Sequence, residues 1–198
     1  MTLKEFVKHF DKKNAIVLLE GKRKVLKQDQ KKLFLLGKLL SSSTQHILFR
    51  SGNATGADEH FAAALCEQNP ERMQVITPYS GHRKKTNQAL QTFALNELNL
   101  AHNPKLIARL NKIKDLKKFV NLYLIGEQNL ITTKSAYLIR DAIKVIGAPK
   151  IKPATFAIFY DDLKNPQQGG TGFTINVCQQ LKVPFITQQV WFNWLNEK

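Results

Sequence analysis

The residues best able to do chemistry sit in two glycine-bearing turns. Gly169-Gly170-Thr171-Gly172-Phe173-Thr174 follows an apolar run ending in Asp161 and Asp162, and leads into a helical pattern from Thr174 to Leu181. Ser51-Gly52-Asn53-Ala54-Thr55-Gly56 follows a second apolar run and leads into a helical pattern from Ala57 to Gln68. Glycine has no Cβ, so backbone N–H groups can turn toward an anion, and a helix N-terminus adds partial positive charge. The two turns together predict one phosphate- or nucleotide-binding cleft. Ser51 and Thr55 offer hydroxyls, while Gly52 and Gly56 permit close backbone approach. Asp58 suits the first turn of its helix and is expected to orient the turn or to bind a sugar hydroxyl.

Other familiar chemistries are missing. The chain has no GxxxxGK[ST] phosphate loop, no GxSxG nucleophile turn and no HExxH. No two carboxylates are placed for general acid–base work, although Asp161 and Asp162 come nearest. The histidines at 9, 46, 60, 82 and 102 lack metal-ligand spacing, so no metal site is expected. Cys66 and Cys178 fall on apolar helix faces and read as buried thiols rather than a redox pair.

These turns need a scaffold. Short apolar runs at Ala15–Leu19, Ile47–Phe49, Met73–Thr77, Phe156–Tyr160 and Val183–Ile186 read as strands, with helices between them at Asp29–Ser42 and Ala57–Gln68. Pro184 puts the last run at a strand start or a sheet edge. Strand, turn and helix in repetition predict a doubly wound, mostly parallel α/β sheet. Ligands of such sheets bind beyond the carboxyl ends of the strands. Four turns lie there: Gly21-Lys22-Arg23, Ser51–Gly56, Pro78–Arg83 and Gln168–Thr174. Lys22 and Arg23 are candidate phosphate partners, as is Arg50, for which an ion pair is the rival role. Gly81 and His82 belong to a loop expected to cover the cleft.

Residues 86–131 break the rhythm and read as a basic helical insert within a single domain spanning 1–198. Asn87–Leu98 and Lys105–Val120 are expected to be helices and Leu122–Ile125 a strand. Thr132–Ile146 is a further helix, stopped by Gly147 and Pro149; Arg140, midway along it, reads as a surface or helix-pairing residue. Trp191 and Trp194 are expected to anchor a core or an interface.

The net charge is +15. Residues 1–40 and 81–120 each carry a net +7, whereas 41–80 and 161–198, which hold the glycine turns, carry −2 and 0. The positive field therefore surrounds the turns. Such a field can steer phosphates or serve nucleic acid. Lys105, Arg109, Lys112, Lys117 and Lys118 are the candidate contacts. No apolar run approaches the roughly 18–20 residues of a membrane span, and residues 1–14 lack a signal-peptide core, so a cytoplasmic protein without membrane contact is expected.

Phe49-Arg50-Ser51-Gly52-Asn53-Ala54-Thr55-Gly56-Ala57-Asp58 resembles the Ser-Gly-Gly-Ala-x-Gly-Ala-Asp turn of the SLOG-type Rossmann-like superfamily. Gly169-Gly170-Thr171-Gly172-Phe173-Thr174-Ile175 resembles its Gly-Gly-Thr-Gly-x-Thr/Ala-Ile turn. That superfamily includes DNA-processing protein A and the LOG phosphoribohydrolases. The resemblance implies a Rossmann-like fold, a homo-oligomer (usually a dimer), and a bound nucleotide or nucleotide-sugar. It implies a cleft built from Gly21, Ser51, Gly52, Gly56, Asp58, Gly169, Gly170, Thr171, Gly172 and Thr174. Asn53 replaces a usual glycine, and Asn tolerates left-handed backbone better than most residues. In the LOG turn a proline, a threonine and a catalytic glutamate stand where this chain has Gln168, Phe173 and Asn176. An amide cannot act as that carboxylate does, which argues against LOG-type hydrolysis. The leading expectation is a nucleotide-binding protein. DNA binding resembling that of DNA-processing protein A, and hydrolysis of a nucleoside phosphate with Asp58, His82 or Asp161 in roles not assigned, are the alternatives.

Overall fold

The computed structural model describes residues 1–126 and 129–196. Six strands pair throughout in parallel: β1 (Ile16–Gly21), β2 (Leu48–Ser51), β3 (Met73–Thr77), β4 (Gln91–Ala94), β5 (Phe156–Tyr160) and β6 (Phe185–Thr187). Their order across the sheet is β4-β3-β2-β1-β5-β6. Among the described residues eight α-helices flank it: α1 (Leu3–Phe10), α2 (Lys27–Ser43), α3 (Ala57–Cys66), α4 (Pro104–Asn111), α5 (Lys117–Ile125), α6 (Leu130–Ile146), α7 (Gly169–Gln180) and α8 (Gln188–Trp194).

The strands alternate between two cores, as a two-residue side-chain period requires. Val17, Leu19, Phe156 and Ile158 face α1, α2, α3 and α8, where Phe6, Leu36, Phe61, Trp191 and Trp194 are buried. Leu18, Ala157 and Phe159 face α4 to α7, with Leu110, Ile139, Ile143 and Ile175. Both faces being covered explains why β1, β3 and β5 are buried at every residue, and why Ile16–Leu19 and Phe156–Tyr160 read as unbroken apolar runs. The two tryptophans are core residues. Trp191 donates its indole N–H to the Phe159 carbonyl at 3.0 Å, so its one polar group is satisfied. Among the described residues, no helix is long and apolar enough to cross a membrane.

The middle of the chain departs from expectation. Asn87–Leu98 is not one helix: Gln91–Ala94 is the edge strand β4, and a 3₁₀ turn follows at Leu95–Leu98. Pairing with β3 outweighs a weak helical pattern there, and only Ala94 of the four is buried. The residues 86–131 therefore contribute a strand as well as helices. Lys105–Val120 is two helices, separated by a turn in which Asp115 has φ 60°. Its apolar face survives the break, because Leu106, Leu110, Ile113 and Leu116 are all buried. Leu122–Ile125 closes α5 instead of forming a strand, and Gly126 ends the helix at φ 81°.

Helix α6 starts at Leu130, before the expected Thr132, because Asn129 caps it. The Asn129 side chain accepts from the Ile131 and Thr132 amides at 2.9 and 3.0 Å, and Thr132 Oγ1 accepts from the Asn129 amide at 2.9 Å. Asn129→Ala is expected to lower stability by about 1 kcal/mol in urea denaturation, the usual worth of such a cap.

Candidate functional site

The strand order dictates where a site can form. The chain steps outward from β1 to β4, then returns to lay β5 on the other side of β1. Connections leave β1 and β5 in opposite directions, opening a crevice at their carboxyl ends. A cleft of about 1330 Å³ occupies that place. Gly21, Lys22 and Arg23 from the end of β1, Tyr160–Asp162 from the end of β5, and Gly169–Thr171 from the start of α7 line it. Tyr137 and Leu138 of α6 and Phe119 of α5 supply an aromatic and apolar wall.

The two glycine turns converge here with different jobs. In the Ser51–Gly56 turn the amides of Gly52, Asn53 and Ala54 are already committed within the protein. Asp58 is buried, and its carboxylate accepts from the amides of Gly21 (3.1 Å), Gly52 (3.1 Å) and Ala54 (3.4 Å). The Ala57 amide, first in α3, donates to the Lys22 carbonyl at 3.1 Å. Of the two roles expected for Asp58, the geometry displays the orienting one. A Cβ on Gly52 would lie 1.6 Å from Arg140 Nη1, and one on Gly56 (φ 84°) 2.2 Å from the Arg23 carbonyl oxygen. These glycines permit protein to pack on protein. Asn53 takes the left-handed conformation (φ 53°) and donates its side-chain amide to the carbonyls of His82 and Arg83. Ser51 is buried beneath the turn and Thr55 is exposed away from the cleft lining.

Gly169 and Gly170 are the reverse case. Both are exposed on the cleft, nothing lies within 4 Å of a Cβ built on Gly169, and the nearest atom to one on Gly170 is Asp141 Oδ2 at 3.4 Å. They leave the first turn of α7 open to the cleft. Gly172 is a packing glycine, since its Cβ would meet the Gln167 carbonyl oxygen at 1.9 Å. Thr171 lines the cleft, whereas Thr174 is buried and donates to Glu20 Oε1 at 2.9 Å.

Beneath the cleft lies a charged floor that the sequence reading did not include. Lys144 Nζ sits between Glu20 Oε2 (2.5 Å) and Asp141 Oδ1 (2.8 Å), and Arg140 Nε is 3.2 Å from the same Asp141 oxygen. All four residues are buried. Arg140 is thus no surface residue, and its Nη1 donates to the Gly52 carbonyl at 3.0 Å. Burial pushes the Glu20 carboxyl up to about 7, and Asp141 and Asp58 add to the rise against the pull of Lys144. Burial works to lower the Lys144 ammonium, but the carboxylates of Asp141 and Glu20 outweigh it and hold it raised. A carboxyl near 7 can exchange a proton at neutral pH, although both Glu20 oxygens are engaged by Lys144 and Thr174. A signal for this floor exists in the sequence. Tyr137, Arg140, Asp141 and Lys144 recur at i, i+3, i+4 and i+7, a polar stripe beside the apolar face of Ala136, Ile139, Ile143 and Ile146.

The remaining candidates are set further out. His82 packs edge-on against Tyr79 and Tyr137, behind the cleft wall, and Gly81 borders a separate shallow depression with Arg83–Thr86. Burial, then the charges of Arg140, Arg83 and Arg23, lower the His82 imidazole below its ordinary value. Arg50 is core: it donates to Gln74 Oε1 and to the Lys144 carbonyl. Lys105, Arg109, Lys112, Lys117 and Lys118 are exposed along α4, the turn and α5. Lys118 and Lys134 lie over the ring of the cleft residue Phe119, at 5.0 and 5.7 Å from its centroid. Cys178 is buried and Cys66 half-buried; burial raises the two thiols to about 12 and about 11, so both are inert near neutrality.

No protein-family model matches the chain, and no curated protein matches it. Among solved structures the chain is similar to DNA processing protein A from Helicobacter pylori, with a TM-score of 0.54 and 14% identity. The match covers 90% of this chain and 66% of that one, just under two thirds of its length. The fold is Rossmann-like. That structure was described for its single-stranded DNA binding mode. At 14% identity the likeness concerns architecture, and the cleft geometry stands on this chain's own residues.

Proposed function

We propose that this protein binds a nucleotide or nucleotide derivative of the kind held by SLOG-type domains, with a ligand phosphate at the amino end of α7. The observation carrying this reading is that Gly169 and Gly170 open a helix N-terminus directly into the switch-point cleft. Lys22, Arg23 and Lys164 on the rim supply positive charge, and Tyr137 and Phe119 offer flat apolar surface for a base. Calorimetry and thermal shift with AMP, ADP-ribose, cyclic nucleotides and dinucleotides test it. At least one is expected to bind, and Gly170→Val to weaken it by about tenfold or more, as loss of charge-assisted contacts does. A Cβ on Gly170 meets no atom closer than 3.4 Å, so a side chain is expected to fit there, and the melting temperature of the variant checks it. Gly52→Val is unsuitable as a binding probe, since it strikes Arg140 and disturbs the scaffold itself. The reading fails if no ligand binds, or if Gly170→Val binds as tightly as the parent.

A second reading, binding of single-stranded DNA, draws on the fold likeness, on Lys118 and Lys134 over the ring of Phe119, and on Lys117, exposed beside Lys118 at the start of α5. It expects affinity for an oligonucleotide to fall with salt at a log–log slope of about −0.7 per phosphate neutralised, and the slope to flatten in Lys117→Glu/Lys118→Glu. A response independent of salt rejects it.

A further inference from the structure

Asp161, the first residue beyond β5, is locked at every polar atom but one. Its backbone N–H donates to Gln188 Oε1 at 2.9 Å and its carbonyl accepts from Gln188 Nε2 at 2.5 Å. Its Oδ2 accepts from the Gln167 amide at 2.7 Å. Its Oδ1 is buried without a partner, on a residue that is 4% exposed and lines the cleft. The neighbouring Asp162 differs: its Oδ1 closes the loop locally by accepting from the Lys164 and Asn165 amides. A buried carboxylate oxygen left without a donor is unfavourable, and native structures rarely keep one without a reason. Its natural complement is a donor brought by the ligand.

The donor's identity follows from position. A phosphate has nothing to donate and is repelled by a carboxylate. Asp161 Oδ2 holds Gln167, two residues before the exposed Gly169 at the head of α7, so Asp161 and the place assigned above to the phosphate belong to the same stretch of cleft wall. In a nucleoside 5′-phosphate the donors nearest the phosphate are the ribose hydroxyls, and those of the base are more distant. We infer that Asp161 selects for ribose, its Oδ1 accepting a hydrogen bond from a ribose hydroxyl of a ligand whose phosphate rests on Gly169 and Gly170. This rests on the nucleotide reading of the cleft and adds to it the sugar class and the residue that reads it.

The test titrates the full chain by calorimetry with the four ribonucleoside 5′-monophosphates and their 2′-deoxy and 3′-deoxy counterparts. The expected result is a preference of about tenfold or more for a ribonucleotide over at least one of its deoxy forms, the worth of a hydrogen bond to a charged acceptor. In Asp161→Asn the Gln167 amide keeps the oxygen, so an N–H₂ group replaces Oδ1. The preference is then expected to shrink to within about twofold, mostly through weaker ribonucleotide binding, while the melting temperature confirms the fold. Equal affinity for ribo- and deoxy-forms in the parent overturns the inference and leaves the nucleotide reading intact. A preference that survives in Asp161→Asn also overturns it. Absence of binding by every nucleotide overturns both. Should Asp161→Asn fail to fold, the ribo-to-deoxy comparison in the parent protein decides.

Discussion

Lys144→Met is expected to destabilise the protein by about 3–5 kcal/mol, the usual cost of breaking a buried ion pair by removing one partner. Methionine fills much of the space but leaves Glu20 and Asp141 facing each other without the ammonium that now lies 2.5 and 2.8 Å from them. The loss should depend on pH, with a definite sign. The Glu20 carboxyl is raised from 4.5 to about 7 in the folded protein, so its protonated form suits the fold. Its contribution is fully present below about 4.5 and is lost as pH rises through about 7. Removing Lys144 removes a pull that lowers this carboxyl, so the folded value climbs further and the deficit grows between pH 5 and pH 8. Urea denaturation of parent and variant at the two pH values measures this. Adding Glu20→Gln to the variant should recover part of the loss at pH 8, because one uncompensated charge is gone. A deficit under about 1 kcal/mol at pH 8, or one equal at both pH values, would contradict the arrangement.

The same cluster shows where sequence reading reaches its limit. Apolar runs such as Ala15–Leu19 and Phe156–Tyr160 could be read as strands because a parallel sheet covered on both faces buries its central strands almost end to end, with polar residues such as Glu20, Arg50 and Ser51 only toward their carboxyl ends. β4 escaped, being an edge strand with one buried residue in four and no apolar run. The break between α4 and α5 escaped because the leucine spacing continues across it. At the site, glycine spacing located both turns, yet nothing in the spacing separates a glycine that clears room for protein from one that clears room for ligand. That distinction depends on partners far away in the chain, such as Arg140 against Gly52. Glu20 and Lys144 are 124 residues apart, and each alone looks like an ordinary charge beside an apolar run. Only the polar stripe on α6 hinted that the helix turns charges inward.

Asp58→Ala is expected to cost about 3–5 kcal/mol, because it strips the acceptor from three backbone amides at once, each worth about 1–3 kcal/mol when buried and unpaired, with incomplete additivity. Those amides belong to Gly21 at the end of β1 and to Gly52 and Ala54 in the turn after β2, so one carboxylate from α3 ties two strand ends to a helix. Asp58→Asn is the sharper experiment. Its amide can offer one oxygen where two now serve, and its N–H₂ group must face a backbone donor. A loss of about 1–3 kcal/mol follows, between that of the alanine variant and the parent. Nucleotide affinity should fall along with stability in both variants, since Gly21 and Lys22, at the cleft edge, are held through this carboxylate and through the Ala57-to-Lys22 hydrogen bond. If Asp58 instead served as the acceptor for a ligand hydroxyl, Asp58→Asn would reduce affinity with urea stability unchanged. Parallel denaturation and calorimetry on the two variants separate these outcomes. The pattern expected here assigns the Ser51–Asp58 turn to architecture and leaves ligand contact to the open glycines of α7.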